Sequence, residues 1–157
     1  MALNNIVIPG ISLGGIRIGD KVDSAIDKLG LSCVAQAPNN FVIIDDGVLY
    51  IGYDMDRLIT CVGCSSVCGI NYKNKLWAGM SVQDVLERSK TQRAECGYVI
   101  IDNIDGIGLD LPNEFDDFDE ITDFLPLNYV FETLSIFKPL WQIKRHENNA
   151  VGSRIYT

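Results

Sequence analysis

Ile16-Arg-Ile-Gly-Asp-Lys-Val-Asp-Ser-Ala-Ile-Asp-Lys-Leu-Gly30 is followed by Phe41-Val-Ile-Ile-Asp45 and Ile51-Gly-Tyr-Asp54, and the same order of features returns further along the chain. The second set is Leu76-Trp-Ala-Gly-Met-Ser-Val-Gln-Asp-Val-Leu-Glu-Arg-Ser-Lys90, Tyr98-Val-Ile-Ile-Asp102 and Ile107-Gly-Leu-Asp110. Gly19 matches Gly79, Asp45 matches Asp102 and Asp54 matches Asp110, at offsets that shorten from 60 to 57 to 56. A repeat of this length describes one supersecondary unit used twice, each copy burying a face that the other needs. The expected boundaries are about 11–65 and 70–137, inside a single domain of residues 1–143, with 144–157 as a loose tail.

Within each unit the local signals agree. Gly14-Gly15 sits between alternating apolar residues and predicts a hairpin, since both turn positions take positive φ at little steric cost. Asp20 is then expected to N-cap a helix carrying Val22, Ala25, Ile26 and Leu29 on one face, with Gly30 ending it. Ser81 is expected to cap the second helix, with Asp84 in its first turn and Val82, Val85 and Leu86 as its stripe. Strands are predicted at Phe41–Asp45, Val48–Tyr53 and Leu58–Val62, then at Tyr98–Ile101, Gly106–Leu111 and Tyr129–Phe137; the residues from Asn128 also fit a helix. Asp45 and Asp102, at matching places, read as turn residues closing hairpins. The fold class is α+β: two tandem strand–helix–meander repeats forming antiparallel sheet with helices packed on it.

Composition bounds the function. The chain has 157 residues, 47% hydrophobic and 22% charged, with no run long enough to span a membrane. The start, from Met1 to Ile11, lacks the basic residues and long apolar core of a signal peptide. Five cysteines, an odd number, fit free thiols in a reducing compartment, so a cytoplasmic location is expected. Charge is lopsided. Residues 1–93 hold nine basic and nine acidic side chains, residues 94–137 hold eleven acids and no base, and residues 138–157 hold four bases and one acid, making the chain's −8. Such a field repels nucleic acid and steers toward basic partners.

Three constellations could carry chemistry. Cys61, Cys64 and Cys68 have C-x2-C-x3-C spacing, but a tetrahedral metal needs a fourth ligand from Cys33, Cys96 or His146, all distant. The expectation is small buried thiols rather than a metal, and no cofactor is implied. Asp102 to Gly106 lacks the carboxylate spacing of a calcium loop. There is no phosphate loop and no nucleophile elbow, and the single histidine, His146, lies in the polar tail, so an enzyme is not expected. The third constellation, Glu114 to Phe124, interleaves six carboxylates with Phe115, Phe118, Ile121 and Phe124. Glu114, Asp116, Asp117, Asp119, Glu120 and Asp123 would supply charge, and Phe115 and Phe118 would anchor a basic protein partner.

The helix entries at Gly19 and Gly79, each followed by a meander, resemble those of small bacterial immunity proteins, the inhibitors of contact-dependent or type VI secreted toxins. The resemblance implies a non-enzymatic inhibitor that covers one toxin domain. A nuclease toxin must present a basic face to RNA or DNA, which the acidic loop would suit. A small-molecule sensor with a pocket between the two repeats is the alternative. An exposed sheet edge would leave room for a homodimer.

Overall fold

A computed structural model describes residues 3–32, 34–112 and 117–139. β1 (Val7–Ile8), β2 (Ser12–Leu13) and β3 (Ile16–Arg17) form a small three-stranded sheet, with Gly14 and Gly15 at φ 64° and 94° in the predicted hairpin turn. Helix α1 (Val22–Lys28) leads into β4 (Val34–Ala37), β5 (Phe41–Ile44), β6 (Leu49–Tyr53) and β7 (Ile59–Ser65). After a 3-10 turn at Ser66–Cys68, the hairpin β8 (Asn71–Tyr72) and β9 (Leu76–Trp77) precedes α2 (Val82–Arg88). The remaining strands are β10 (Gln92–Glu95), β11 (Tyr98–Ile101), β12 (Ile107–Asp110) and β13 (Thr133–Phe137). The described residues are therefore mostly antiparallel sheet with two short helices, a sheet-dominated α+β fold.

The main sheet has eight strands in the order β10-β11-β12-β13-β7-β6-β5-β4. Each meander runs through chain neighbours, and the two meet where β13 pairs antiparallel with β7, Leu134 facing Cys64 and Ile136 facing Val62. Strand residues alternate between faces. Val42, Ile44, Leu49, Ile51, Val62, Cys64, Val99, Ile101, Ile107, Leu109, Leu134 and Ile136 point into one core, with Val22 and Ala25 of α1 and Val82 and Val85 of α2. Each helix has only seven residues, too short to persist without that packing. Among the described residues the opposite face of the sheet carries no helix.

Sequence and structure part at several elements. β4 and β10 extend each predicted three-strand meander to four. They are the outer strands: β4 is small, mostly apolar and largely exposed, β10 is polar and half-buried, and neither shows an apolar alternation because an edge strand pairs on one side only. The final strand begins at Thr133 rather than Tyr129. After a turn at 127–128, closed by Tyr129 N donating to Pro126 O, the chain passes beside the entry to α2, where the carbonyls of Leu127 and Tyr129 accept from Gln83 N and Val82 N, taking up donors that a helix start leaves unpaired. Asp20 does not cap α1: Lys21 is the N-cap and makes no side-chain cap bond, while the Asp20 carbonyl accepts from Ile59 N. Ser81 caps α2 as expected, in a full capping box with Asp84. Leu86 lies at the exposed rim of its helix rather than in the stripe.

The two helix entries share one pattern of backbone bonds. Gly19 N donates to Ile59 O, Ile59 N to Asp20 O and Val22 N to Arg57 O; Gly79 N donates to Phe131 O, Phe131 N to Met80 O and Val82 N to Tyr129 O. Isolated bridges Lys21–Leu58 and Ser81–Val130 complete the correspondence. In the first half β6 reaches this point through a short turn, in which Asp54 Oδ1 accepts from Asp56 N and Leu58 N. In the second, β12 reaches it through residues 111–130.

Candidate functional site

Of the acidic stretch, Glu114, Phe115 and Asp116 lie outside the described residues. Asp117, Asp119, Glu120 and Asp123 are exposed. Their backbone is held by short bonds, Phe118 N to Asp117 Oδ1 and Glu120 N to Asp123 Oδ2, and by three apolar residues, Phe118, Ile121 and Leu125, sunk into the core. Phe118 is only 8% exposed, which corrects its expected role: it secures the loop to its own protein and is not presented to a partner. Phe124 is 74% exposed, while Leu125 takes the inward place.

The three clustered cysteines do not converge. Cys61 and Cys64 both lie in β7, three residues apart, and so project from opposite faces of the sheet. Cys64 is in the core beside Cys68, where burial pushes its thiol up to about 12; Cys61 lies on the helix-free face. Among the described residues no group of three or more His, Cys, Asp or Glu side chains is placed to hold a metal. Cys33 and His146 lie outside the described residues. Asp102 does close its turn, at φ 48°, and accepts from Lys90 N, Thr91 N and Lys75 Nζ.

The opposite face of the sheet holds a hollow of about 300 Å³. It crosses the β7–β13 junction. Phe41, Tyr50, Cys61 and Gly63 come from the first half, and Tyr98, Asp110, Thr133 and Ser135 from the second. Pairing registers place Tyr50, Gly63, Ser135 and Gly108 in one row across four strands. The floor is low because two of the four are glycine. A Cβ on Gly63 would stand 2.8 Å from Ser135 Oγ and 3.1 Å from Thr133 Cγ2, so a side chain there would displace the wall. Tyr98 stacks on Phe137 with centroids 4.2 Å apart, and a second hollow of about 430 Å³ adjoins, sharing Cys61 and Tyr98 and bordered by Glu95, Cys96 and Lys138.

At the centre Ser135, itself buried, donates its hydroxyl to Asp110 Oδ1 at 2.6 Å. Burial pushes the Asp110 carboxyl up to about 6, against the lowering effect of that bond. Burial also raises Cys61 and Tyr98. A lone carboxylate among hydroxyls and aromatic rings is suited to recognition of positive charge. Two-carboxylate hydrolysis needs a second acid at fixed separation, and among the described residues none other lines this hollow. Sequence reasoning did not find Asp110. It was visible only as the residue matched in the sequence to Asp54, which holds a turn by accepting from Asp56 N and Leu58 N, and the difference between the two depends on which face the register assigns.

In comparisons with known proteins, no family model, no curated protein and no solved structure matched the chain.

Proposed function

We propose that the protein is a non-enzymatic, cytoplasmic binding protein of the immunity type, neutralising a basic toxin domain through its acidic surface. The observation that carries this reading is the anchored loop: Asp117, Asp119, Glu120 and Asp123 stand outward on a segment whose Phe118, Ile121 and Leu125 are locked in the core. Fixed charge of one sign speeds encounter with a basic surface and repels nucleic acid competing for it. The two halves are read as copies of one hairpin–helix–meander unit, supported by the matched helix-entry bonds, with the loop as the expansion of the second copy. The outer strands β4 and β10 leave edges on which a second copy could pair.

The experiment is a pull-down with the intact protein, followed by association kinetics on whatever basic domain is recovered. Asp117→Asn/Asp119→Asn/Glu120→Gln should slow association about tenfold at low salt and much less at high salt. An unchanged rate would remove the loop from the interface. A second reading, a small-molecule binding module, is favoured by one observation, the hollow across the junction of the two halves.

A further inference from the structure

Asp110 is in an unusual position for a carboxylate. Its one side-chain partner is the Ser135 hydroxyl, and among the described residues no Lys, Arg or His forms an ion pair with it. Burying a carboxyl group without a cation costs free energy that surface placement avoids. Nothing in the strand demands it: Asp110 ends β12 opposite Tyr98, where an uncharged residue would fit the ladder equally well. A bound molecule could offset that cost, and the surroundings narrow its chemistry. An anion would be repelled. A neutral apolar molecule would strip the carboxyl of its remaining water and return nothing. Divalent hard cations take six or more oxygen ligands and draw on several carboxylates and carbonyls, whereas the lining here offers a single carboxylate beside the neutral hydroxyl-bearing side chains of Tyr50, Tyr98, Thr133 and Ser135, and among the described residues no group of three or more His, Cys, Asp or Glu is placed to hold a metal. An organic cation meets every wall, with N–H donors for the carboxylate and a flat or aliphatic body for Phe41, Tyr50 and Tyr98.

We infer that the hollow on the β7–β13 junction binds a small organic cation, an ammonium or amidinium head on a compact apolar body, with Asp110 as its counter-ion. Its size, about 300 Å³, is at the lower end of small-molecule sites. This inference rests on the ligand-binding reading and is independent of the inhibitor reading.

The charged and titratable groups around Asp110 set a pH signature. Tyr98 on β11 and Cys61 on β7 are both pushed upward by burial, β13 contributes the hydroxyls of Thr133 and Ser135, and Glu95, Cys96 and Lys138 border the neighbouring hollow. Asp110, with its carboxyl up at about 6, must lose its proton to pair with a cation, so affinity should rise from pH 5 to pH 8.

The test titrates the isotope-labelled intact protein with benzylamine and benzamidine, and with the neutral isostere benzyl alcohol, reading amide shifts by NMR. Saturable shifts at Tyr98, Thr133 and Ser135 are expected for both cations, at least tenfold tighter than for benzyl alcohol and about tenfold tighter at pH 8 than at pH 5. Asp110→Asn should abolish the preference for cation over alcohol while leaving the spectrum folded; Ser135→Ala should weaken it. If benzyl alcohol binds as tightly as the cations, the cation inference falls and the ligand-binding reading stands. If the cations shift only the 117–123 loop, or nothing shifts with any probe, both fall.

Discussion

Asp110 also sets how stability depends on pH. Its carboxyl is raised from 3.8 to about 6 in the folded chain, so between those values the native state holds more proton than the unfolded state. Stability therefore falls as pH rises from about 4 to about 6, and the full cost remains above that. Two units correspond to about 3 kcal/mol. Asp110→Asn keeps an acceptor for Ser135 and removes the charge, so it should stabilise the protein at pH 8 by about 1–3 kcal/mol and converge with the parent near pH 4. Urea unfolding of both proteins across that range checks this; equal stability at pH 8 would mean that the carboxylate is well solvated. Asp102 works in the opposite sense. Lys75 and the Lys90 and Thr91 amides lower its carboxyl to about 2, so the stability it contributes is present above pH 4 and lost as pH falls through about 2. The role of Asp102 as a turn residue was legible from its place after Tyr98-Val-Ile-Ile. That of Asp110 was not, because which face a strand residue takes is decided by its partners.

The elements show what local sequence can and cannot specify. Ser81 followed three residues later by Asp84 carries its own capping geometry, and the predicted cap is present. Asp20 offered the same type of residue, one position too early, and tertiary bonds from Arg57 and Ile59 set the start of α1 instead. The contrast is measurable. Ser81→Ala should cost about 1 kcal/mol in chemical unfolding, whereas Asp20→Ala, which removes no cap, should stay within about 0.5 kcal/mol. A loss of 1 kcal/mol or more from Asp20→Ala would restore it as a cap in solution. The edge strands β4 and β10 escaped the sequence for the same physical reason that the interior strands were plain in it. Phe41-Val-Ile-Ile and Tyr98-Val-Ile-Ile have β-branched residues suited to a half-buried ladder, while Gln92-Arg-Ala-Glu lies along an edge where packing constrains one side only. The Cys96-Gly97 turn, at φ 52° and 85°, was the remaining clue to β10.

At the scale of the whole molecule, the repeat in the sequence pointed to a single core but could not say how the halves join. Within the main sheet that join is one strand pair, β7 with β13. Leu134 has no exposed surface and stands between Cys64 on one side and Leu109 on the other. Above it the core receives side chains from both helices; on the opposite face the same two strands carry Gly63, Ser135 and the hollow. A sheet continuous through this pair should unfold as one unit, because neither meander alone buries enough apolar surface to offset the entropy of ordering it. Leu134→Ala removes packing at the join and should cost about 2–5 kcal/mol. The informative readout is where that loss is felt. Hydrogen exchange of Ile51 in the first half and of Leu109 in the second should share one opening free energy, and the substitution should lower both by the same amount. If Ile51 keeps its protection while Leu109 loses it, the halves open separately, and the hollow between them would be a hinge between two folding units rather than the floor of one.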